Sequence, residues 1–84
     1  MDSQTKMIVS PLPGIFYRKP SPDAPEYVQE GDRVEPEQTI GLVEVMKNFY
    51  EVKAESAGTV GRFLIQDGDM IDVGQEIVQI VSQD

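Results

Sequence analysis

The 84-residue sequence contains no cysteine, no histidine and no tryptophan. Lack of cysteine excludes a disulfide scaffold and a thiol nucleophile. Lack of histidine as well excludes the common zinc sites and every histidine-based catalytic triad. Basic residues are few: seven Lys and Arg stand against fifteen Asp and Glu, a formal net charge of −8. A surface of that sign repels phosphate backbones, so nucleic acid is not an expected partner. Long apolar runs are missing too. Nothing approaches the ~20 residues that cross a bilayer, and no signal-peptide core follows Met1. The sequence reads as one soluble, cytoplasmic domain spanning residues 1–84, without a membrane partner. A chain of this size buries only about 60% of its unfolded surface.

Helical periodicity is also absent. Seven Gly and six Pro punctuate the chain, and no stretch keeps a 3.6-residue apolar period for three turns. Pro36 and Gly41 bracket too few residues to nucleate a helix between them. Short β-rich runs lie between turn signals instead, at Met7–Val9, Ile15–Tyr17, Tyr27–Val28, Ile40–Met46, Phe49–Lys53, Thr59–Ile65 and Ile77–Val81. That spacing predicts a small all-β sandwich or barrel.

The chain also repeats itself. Val28-Gln29, Gly31-Asp32, Val34, Gln38, Ile40 and Val43 recur at the same spacing as Ile65-Gln66, Gly68-Asp69, Ile71, Gln75, Ile77 and Ile80. Gly14 answers Gly58 ahead of each copy. Halves this small cannot bury their apolar faces alone, so they are expected to pack on one another with approximate two-fold symmetry.

Two departures from the repeat mark where function is expected. Gly14 to Gly31 spans seven more residues than Gly58 to Gly68, and the surplus falls in Lys19-Pro20-Ser21-Pro22-Asp23-Ala24-Pro25. Three prolines restrict this loop before it makes any contact, which suits a contact surface as well as a tolerated insertion. The second departure is the join between the halves. Leu42–Met46 and Phe49–Val52 are strand-like and leave Lys47-Asn48 between them, the expected centre of a two-residue hairpin. Asn48 suits positive φ, and Lys47 then stands at an exposed tip. A lone exposed lysine is ordinarily a solvated charge. Met46 beside it is not what a solvated turn selects.

Those residues carry a resemblance. Glu44-Val45-Met46-Lys47 resembles the Glu-Ala-Met-Lys-Met signature of biotinyl domains, whose lysine carries biotin through an amide. Ser10-Pro11-Leu12-Pro13-Gly14 is similar to the family's opening turn, and Ser56-Ala57-Gly58-Thr59-Val60 to the turn of its second half. Phe16 to Ala24 resembles the thumb loop of the biotin carboxyl carrier proteins of bacterial acetyl-CoA carboxylase. The chain has Val45 and Asn48 where the signature has Ala and Met, and Lys19 where the thumb often has Thr.

The resemblance implies a flattened β-barrel of two four-stranded antiparallel sheets, related by a pseudo-two-fold axis, with a thumb. It implies covalent biotin on Lys47, with Glu44, Val45, Met46 and Asn48 around it and Lys19 to Pro25 as the thumb. It further implies a carrier without catalysis of its own. A biotin protein ligase would load it, a biotin carboxylase would charge it, and a carboxyltransferase would unload it in fatty acid biosynthesis. Only nine residues precede Ser10, where longer carrier proteins have an extended N-terminal region, so the chain reads as a minimal subunit or as a domain of a longer protein. Two alternatives share parts of this pattern. A lipoyl carrier domain of a 2-oxo acid dehydrogenase-type complex also has a tip lysine, but resembles Asp-Lys-Ala there and lacks the thumb. An unmodified β-sandwich used for interaction would leave Met46 and the proline-rich loop without a role.

Overall fold

Two Gly-Asp turns set the pattern of the computed structural model, which describes residues 3–83. In the first, the Asp32 N–H donates to the Gln29 carbonyl at 3.0 Å, and the Asp32 carboxylate accepts from the Gln29 N–H at 2.9 Å. Asp69 and Gln66 repeat both bonds at 3.0 and 2.8 Å. Gly31 and Gly68 sit inside these turns at φ of +98° and +89°. Left-handed backbone of this kind costs an L-residue with a Cβ about 1–2 kcal/mol, which glycine avoids. A second matched pair follows each turn. The Glu35 N–H donates to the Gln38 side-chain carbonyl at 3.2 Å, and the Asp72 N–H to that of Gln75 at 3.0 Å.

Among the described residues, the strands are β1 (Ser3–Val9), β2 (Gly14–Tyr17), β3 (Arg33–Val34), β4 (Thr39–Val45), β5 (Asn48–Lys53), β6 (Gly58–Phe63), β7 (Met70–Ile71) and β8 (Glu76–Gln83). They form two four-stranded sheets, ordered β1-β8-β6-β3 and β5-β4-β2-β7, with every neighbouring pair antiparallel. Each sheet takes strands from both repeats, so neither half closes by itself. The turns also cross over. The Phe16 N–H donates to the Asp69 carbonyl and the Val60 N–H to the Asp32 carbonyl, both at 2.8 Å.

The core lies between the sheets and repeats with the sequence. Val28 and Ile65, Val34 and Ile71, Ile40 and Ile77, and Val43 and Ile80 are all buried, together with Phe16, Val52 and Val60. Burial of such a side chain stabilises by about 1.5–3 kcal/mol, and this set makes one continuous cluster. Two sheets packed about 10 Å apart account for a thin dimension of 19 Å in a molecule 43 Å long.

Three expectations are corrected. Tyr27–Val28 is not a strand: the Tyr27 N–H donates to the Arg18 carbonyl at 2.9 Å, closing the base of the thumb, while Val28 is buried by packing. Arg33–Val34 and Met70–Ile71 are strands that the pattern did not announce, because each offers one inward residue and no alternation to recognise. Finally, β4 ends at Val45 and not at Met46, which moves the hairpin turn.

Candidate functional site

β4 and β5 pair from Thr39 opposite Lys53 to Val45 opposite Asn48, leaving Met46 and Lys47 as the two turn residues. Both have positive φ, +52° and +70°, the type I′ arrangement that matches the right-handed twist of flanking strands. The turn is thus centred on Met46-Lys47 and not on Lys47-Asn48, and Asn48 is the first paired residue of β5. Cross-strand charge explains this register. A turn centred on Lys47-Asn48 would place Glu44 directly opposite Glu51, a like-charge pair that destabilises a hairpin. The observed register places Glu44 opposite Phe49 and Glu51 opposite Leu42. Glu51 instead accepts from the Lys53 ammonium at 2.8 Å, which lowers its pKa through that hydrogen bond and the adjacent positive charge.

Lys47 is exposed at the tip, as the sequence implied, and Met46 is 89% exposed. Type I′ turns favour Asn-Gly, and Met-Lys pays the left-handed cost at both positions. Val45 packs against the core below them and anchors the end of β4. Stability therefore selects the strands of this hairpin and not its two turn residues.

The thumb rises from β2 beside it. Ser21 to Ala24 form a turn closed by the Ala24 N–H donating to the Ser21 carbonyl at 3.1 Å, with Pro22 at the position where its fixed φ is favoured. Arg18 secures the base. Its guanidinium lies 3.9 Å from the centre of the Phe63 ring, donates to the Val28 carbonyl at 3.2 Å and pairs with Glu26 at 3.5 Å. Cation–π contact and hydrogen bonding together hold a side chain whose Nε is buried without a partner.

A cleft of about 400 Å³ lies between the thumb and the outer face of the β5-β4-β2-β7 sheet, lined by Tyr17, Lys19, Pro20, Ser21, Pro22, Leu42, Glu44, Phe49 and Asp67. The structure brings Glu44 and the first half of the thumb to this cleft. Asp23, Ala24 and Pro25 do not line it, and Val45, Met46, Lys47 and Asn48 lie beyond it toward the tip. The Tyr17 hydroxyl donates to the Glu44 carboxylate at 3.0 Å across the floor. That bond, then partial burial and the nearby Glu44 and Asp67 charges, raise the Tyr17 pKa above 10.0. Sequence reasoning missed Tyr17, Leu42, Phe49 and Asp67. A signal existed in Leu42 and Phe49, which are apolar at outward-facing register positions.

Comparison with known proteins gives the family. A family model described as biotin-requiring enzyme, the biotin/lipoyl family, matches residues 6–80. The chain belongs to that family. It is 43% identical over 79 residues to the biotin carboxyl carrier protein of acetyl-CoA carboxylase from Chlamydia trachomatis, covering 94% of this chain and 48% of that protein. It is 41% identical over 73 residues to the protein of the same name from Pyropia yezoensis, covering 87% of this chain and 46% of that one. The chain thus spans about half the length of these biotin/lipoyl relatives. The urea carboxylase of Kluyveromyces lactis contains a similar structure, with a TM-score of 0.77 at 26% identity, covering 96% of this chain and 6% of that one.

Proposed function

We propose that the chain is one biotinyl attachment domain and that Lys47 is the residue to which a biotin protein ligase joins biotin as an amide. The loaded domain then serves as the non-catalytic carboxyl carrier of a cytoplasmic acetyl-CoA carboxylase. The observation that carries this reading is the turn. An exposed lysine and an 89% exposed methionine occupy two left-handed positions that the backbone alone would give to Asn-Gly. The names of the relatives, and the resemblance of residues 16–24 to a carrier-protein thumb, support biotin over lipoate.

The residues present fit the group. Lys47 offers a primary amine clear of the barrel, and attachment there removes one positive charge. Glu44, Val45, Met46 and Asn48 present that amine on a hairpin anchored by Val43 and Val45 facing inward. The cleft, with Leu42, Phe49, Pro20 and Pro22 as apolar walls and a few polar groups, matches the size and character of sites for small ring compounds. Its lining includes the Glu44–Phe49 pair, the next pair after the one that flanks the turn. When bound, biotin supplies a ureido nitrogen that takes a carboxyl group at a biotin carboxylase and yields it to an acyl-CoA at a carboxyltransferase. With no histidine or cysteine, the chain contributes tethering, reach and effective concentration.

The test supplies the biotinylated chain to a biotin carboxylase with ATP and labelled bicarbonate, then adds carboxyltransferase and acetyl-CoA. Label is expected on the chain first and on malonyl-CoA second. A biotinylated chain that takes up no label contradicts the carrier reading.

A further inference from the structure

The thumb has little to hold it from within. Among the described residues, the one hydrogen bond inside 19–25 is that of the Ala24 N–H to the Ser21 carbonyl, and Pro20 to Asp23 and Pro25 are exposed. Three prolines limit the loop's own shape, but its angle to the barrel has to be set at its two ends. Arg18 acts on both. Its backbone N–H donates to the Asp67 carboxylate at 2.7 Å on the outgoing leg, and its carbonyl accepts from the Tyr27 N–H at 2.9 Å on the returning leg. Its guanidinium crosses to the returning leg too, pairing with Glu26 at 3.5 Å and donating to the Val28 carbonyl at 3.2 Å. The same group lies 3.9 Å from the centre of the Phe63 ring. Phe63 is itself held: its N–H donates to the Glu30 carboxylate at 3.0 Å, and its ring stands 6.3 Å from that of the buried Phe16. One side chain thus joins both legs of the thumb to an aromatic platform in the other half of the molecule. A planar guanidinium stacks on a ring and reaches two acceptors at its edge, which an ammonium does not do together.

We propose that Arg18 is a positioning residue for carboxyl transfer: seated on Phe63, it holds the thumb in one orientation while a biotin carboxylase receives the domain. This inference rests on the carrier reading above. Arg18 does not line the cleft, and it follows Tyr17, which pairs with Leu42 well below the turn, so it acts through the thumb alone. Loss of a cation–π contact together with charge-assisted hydrogen bonds leaves the thumb seated for only a fraction of the time. The apparent affinity of an enzyme that needs the seated thumb falls by that same fraction, about tenfold for a thumb seated a tenth of the time. The loss belongs in KM and not in kcat, because Arg18 touches no reacting atom.

The experiment uses the biotinylated chain as wild type, Arg18→Lys, Arg18→Met, Phe63→Leu and the Arg18→Met/Phe63→Leu pair. Intact mass reports biotin on each. The 15N heteronuclear NOE of Ser21, Asp23 and Ala24 reports thumb order, with amides of β4 and β8 as the barrel's reference. Steady-state kinetics with a biotin carboxylase, ATP and labelled bicarbonate give KM and kcat for the chain. Arg18→Met should carry biotin, loosen the three thumb amides while the barrel stays rigid, and raise KM about tenfold at unchanged kcat. Arg18→Lys, which keeps the charge but not both edge bonds, should fall between it and the wild type. Phe63→Leu should raise KM by itself and add little to Arg18→Met, because the two groups form one contact. Rigid thumb amides in Arg18→Met, loosened thumb amides with KM unchanged, or loosening shared by β4 and β8 overturns the inference alone. So does an Arg18→Met chain that fails to fold beside an Arg18→Lys chain identical to the wild type in KM. Absence of biotin mass, or a biotinylated wild type that takes up no label, overturns the carrier reading and this inference with it.

Discussion

In the second half of the molecule, three residues, Arg62, Phe63 and Leu64, lead from Gly61 to the buried Ile65. In the first half the equivalent path, from Tyr17 to Val28, takes ten residues, Arg18 to Tyr27, and carries the thumb. The paired ends differ in the same way. Val45 opposite Asn48 closes on the Met46-Lys47 turn, while the corresponding pair of the other sheet, Gln4 opposite Ser82, leads toward the chain ends. Elsewhere the halves share the side-chain bonds of the Gly-Asp turns, the backbone bonds that cross between those turns, and the buried Val and Ile positions. The comparison separates two demands on one sequence. What the halves share closes the barrel, and what only the first half and the joining hairpin possess surrounds the exposed lysine.

The largest effects should come from the shared part and should be equal in the two halves. Ile40→Ala and Ile77→Ala each remove a fully buried side chain at repeated positions, and each should cost about 2–5 kcal/mol. Against a total stability of about 4–13 kcal/mol for a domain this size, either change is severe. Urea denaturation of both variants measures it, and a large difference between them would show that the halves are not energetically equivalent.

The hairpin should respond in the opposite direction. Replacing Met46-Lys47 with Asn-Gly relieves left-handed backbone at two positions and should raise stability by about 1–2 kcal/mol. The same change removes the amine, so the more stable variant should accept no biotin. A loss of stability would mean that Met46 or Lys47 makes a structural contribution that their exposure does not reveal.

Deleting residues 19–25 should affect folding less. The second half already spans this connection with a short segment, and loop-closure entropy changes by about 1 kcal/mol or less on such shortening. The deletion variant should fold and still be biotinylated, while carboxyl transfer through the assembled carboxylase slows. An unfolded variant would place the thumb among the elements that the barrel requires.

The smallest effect is a titration at the floor of the cleft. The Tyr17 pKa is raised because its hydroxyl donates to Glu44, so the folded state favours the neutral phenol. The resulting contribution to stability is fully present below the unfolded value of 10.0 and is lost as pH rises through the higher folded value. Tyrosine absorbance should show Tyr17 and Tyr27 both ionising late, Tyr27 because of its burial and the nearby Glu51 charge, and Tyr17→Phe should remove one of the two late components.

Much of this architecture could be read from the sequence because the repeat is a physical constraint. Gln29-x-Gly31-Asp32 and Gln66-x-Gly68-Asp69 form turns through their own side chains, so the local residues suffice to specify them. The inward alternation of β4 likewise gave its strand. Three features depend on pairing and packing that no single run of residues displays. β3 and β7 are too short to show a period, and exist because β6 and β2 lie beside them. Val28 is apolar for the core, but its segment pairs with no strand. Asparagine tolerates positive φ and so marks Asn48 as a turn residue, whereas the charges of Glu44 and Glu51 across the strands decide the register. At the site, Lys47 and the thumb were visible in the chain. The cleft was not, since Asp67 and Phe49 reach it only through folding.

The central claim is that the exposed turn lysine is the attachment point. Intact-mass measurement after co-expression with a biotin protein ligase tests it most directly, on the wild type and on Lys47→Arg. The wild type should gain the mass of one biotinyl group, and Lys47→Arg, which keeps the charge but offers no primary amine at the tip, should gain none. A biotinyl group retained in Lys47→Arg, or a wild type that stays unmodified or gains a lipoyl group instead, would contradict the account.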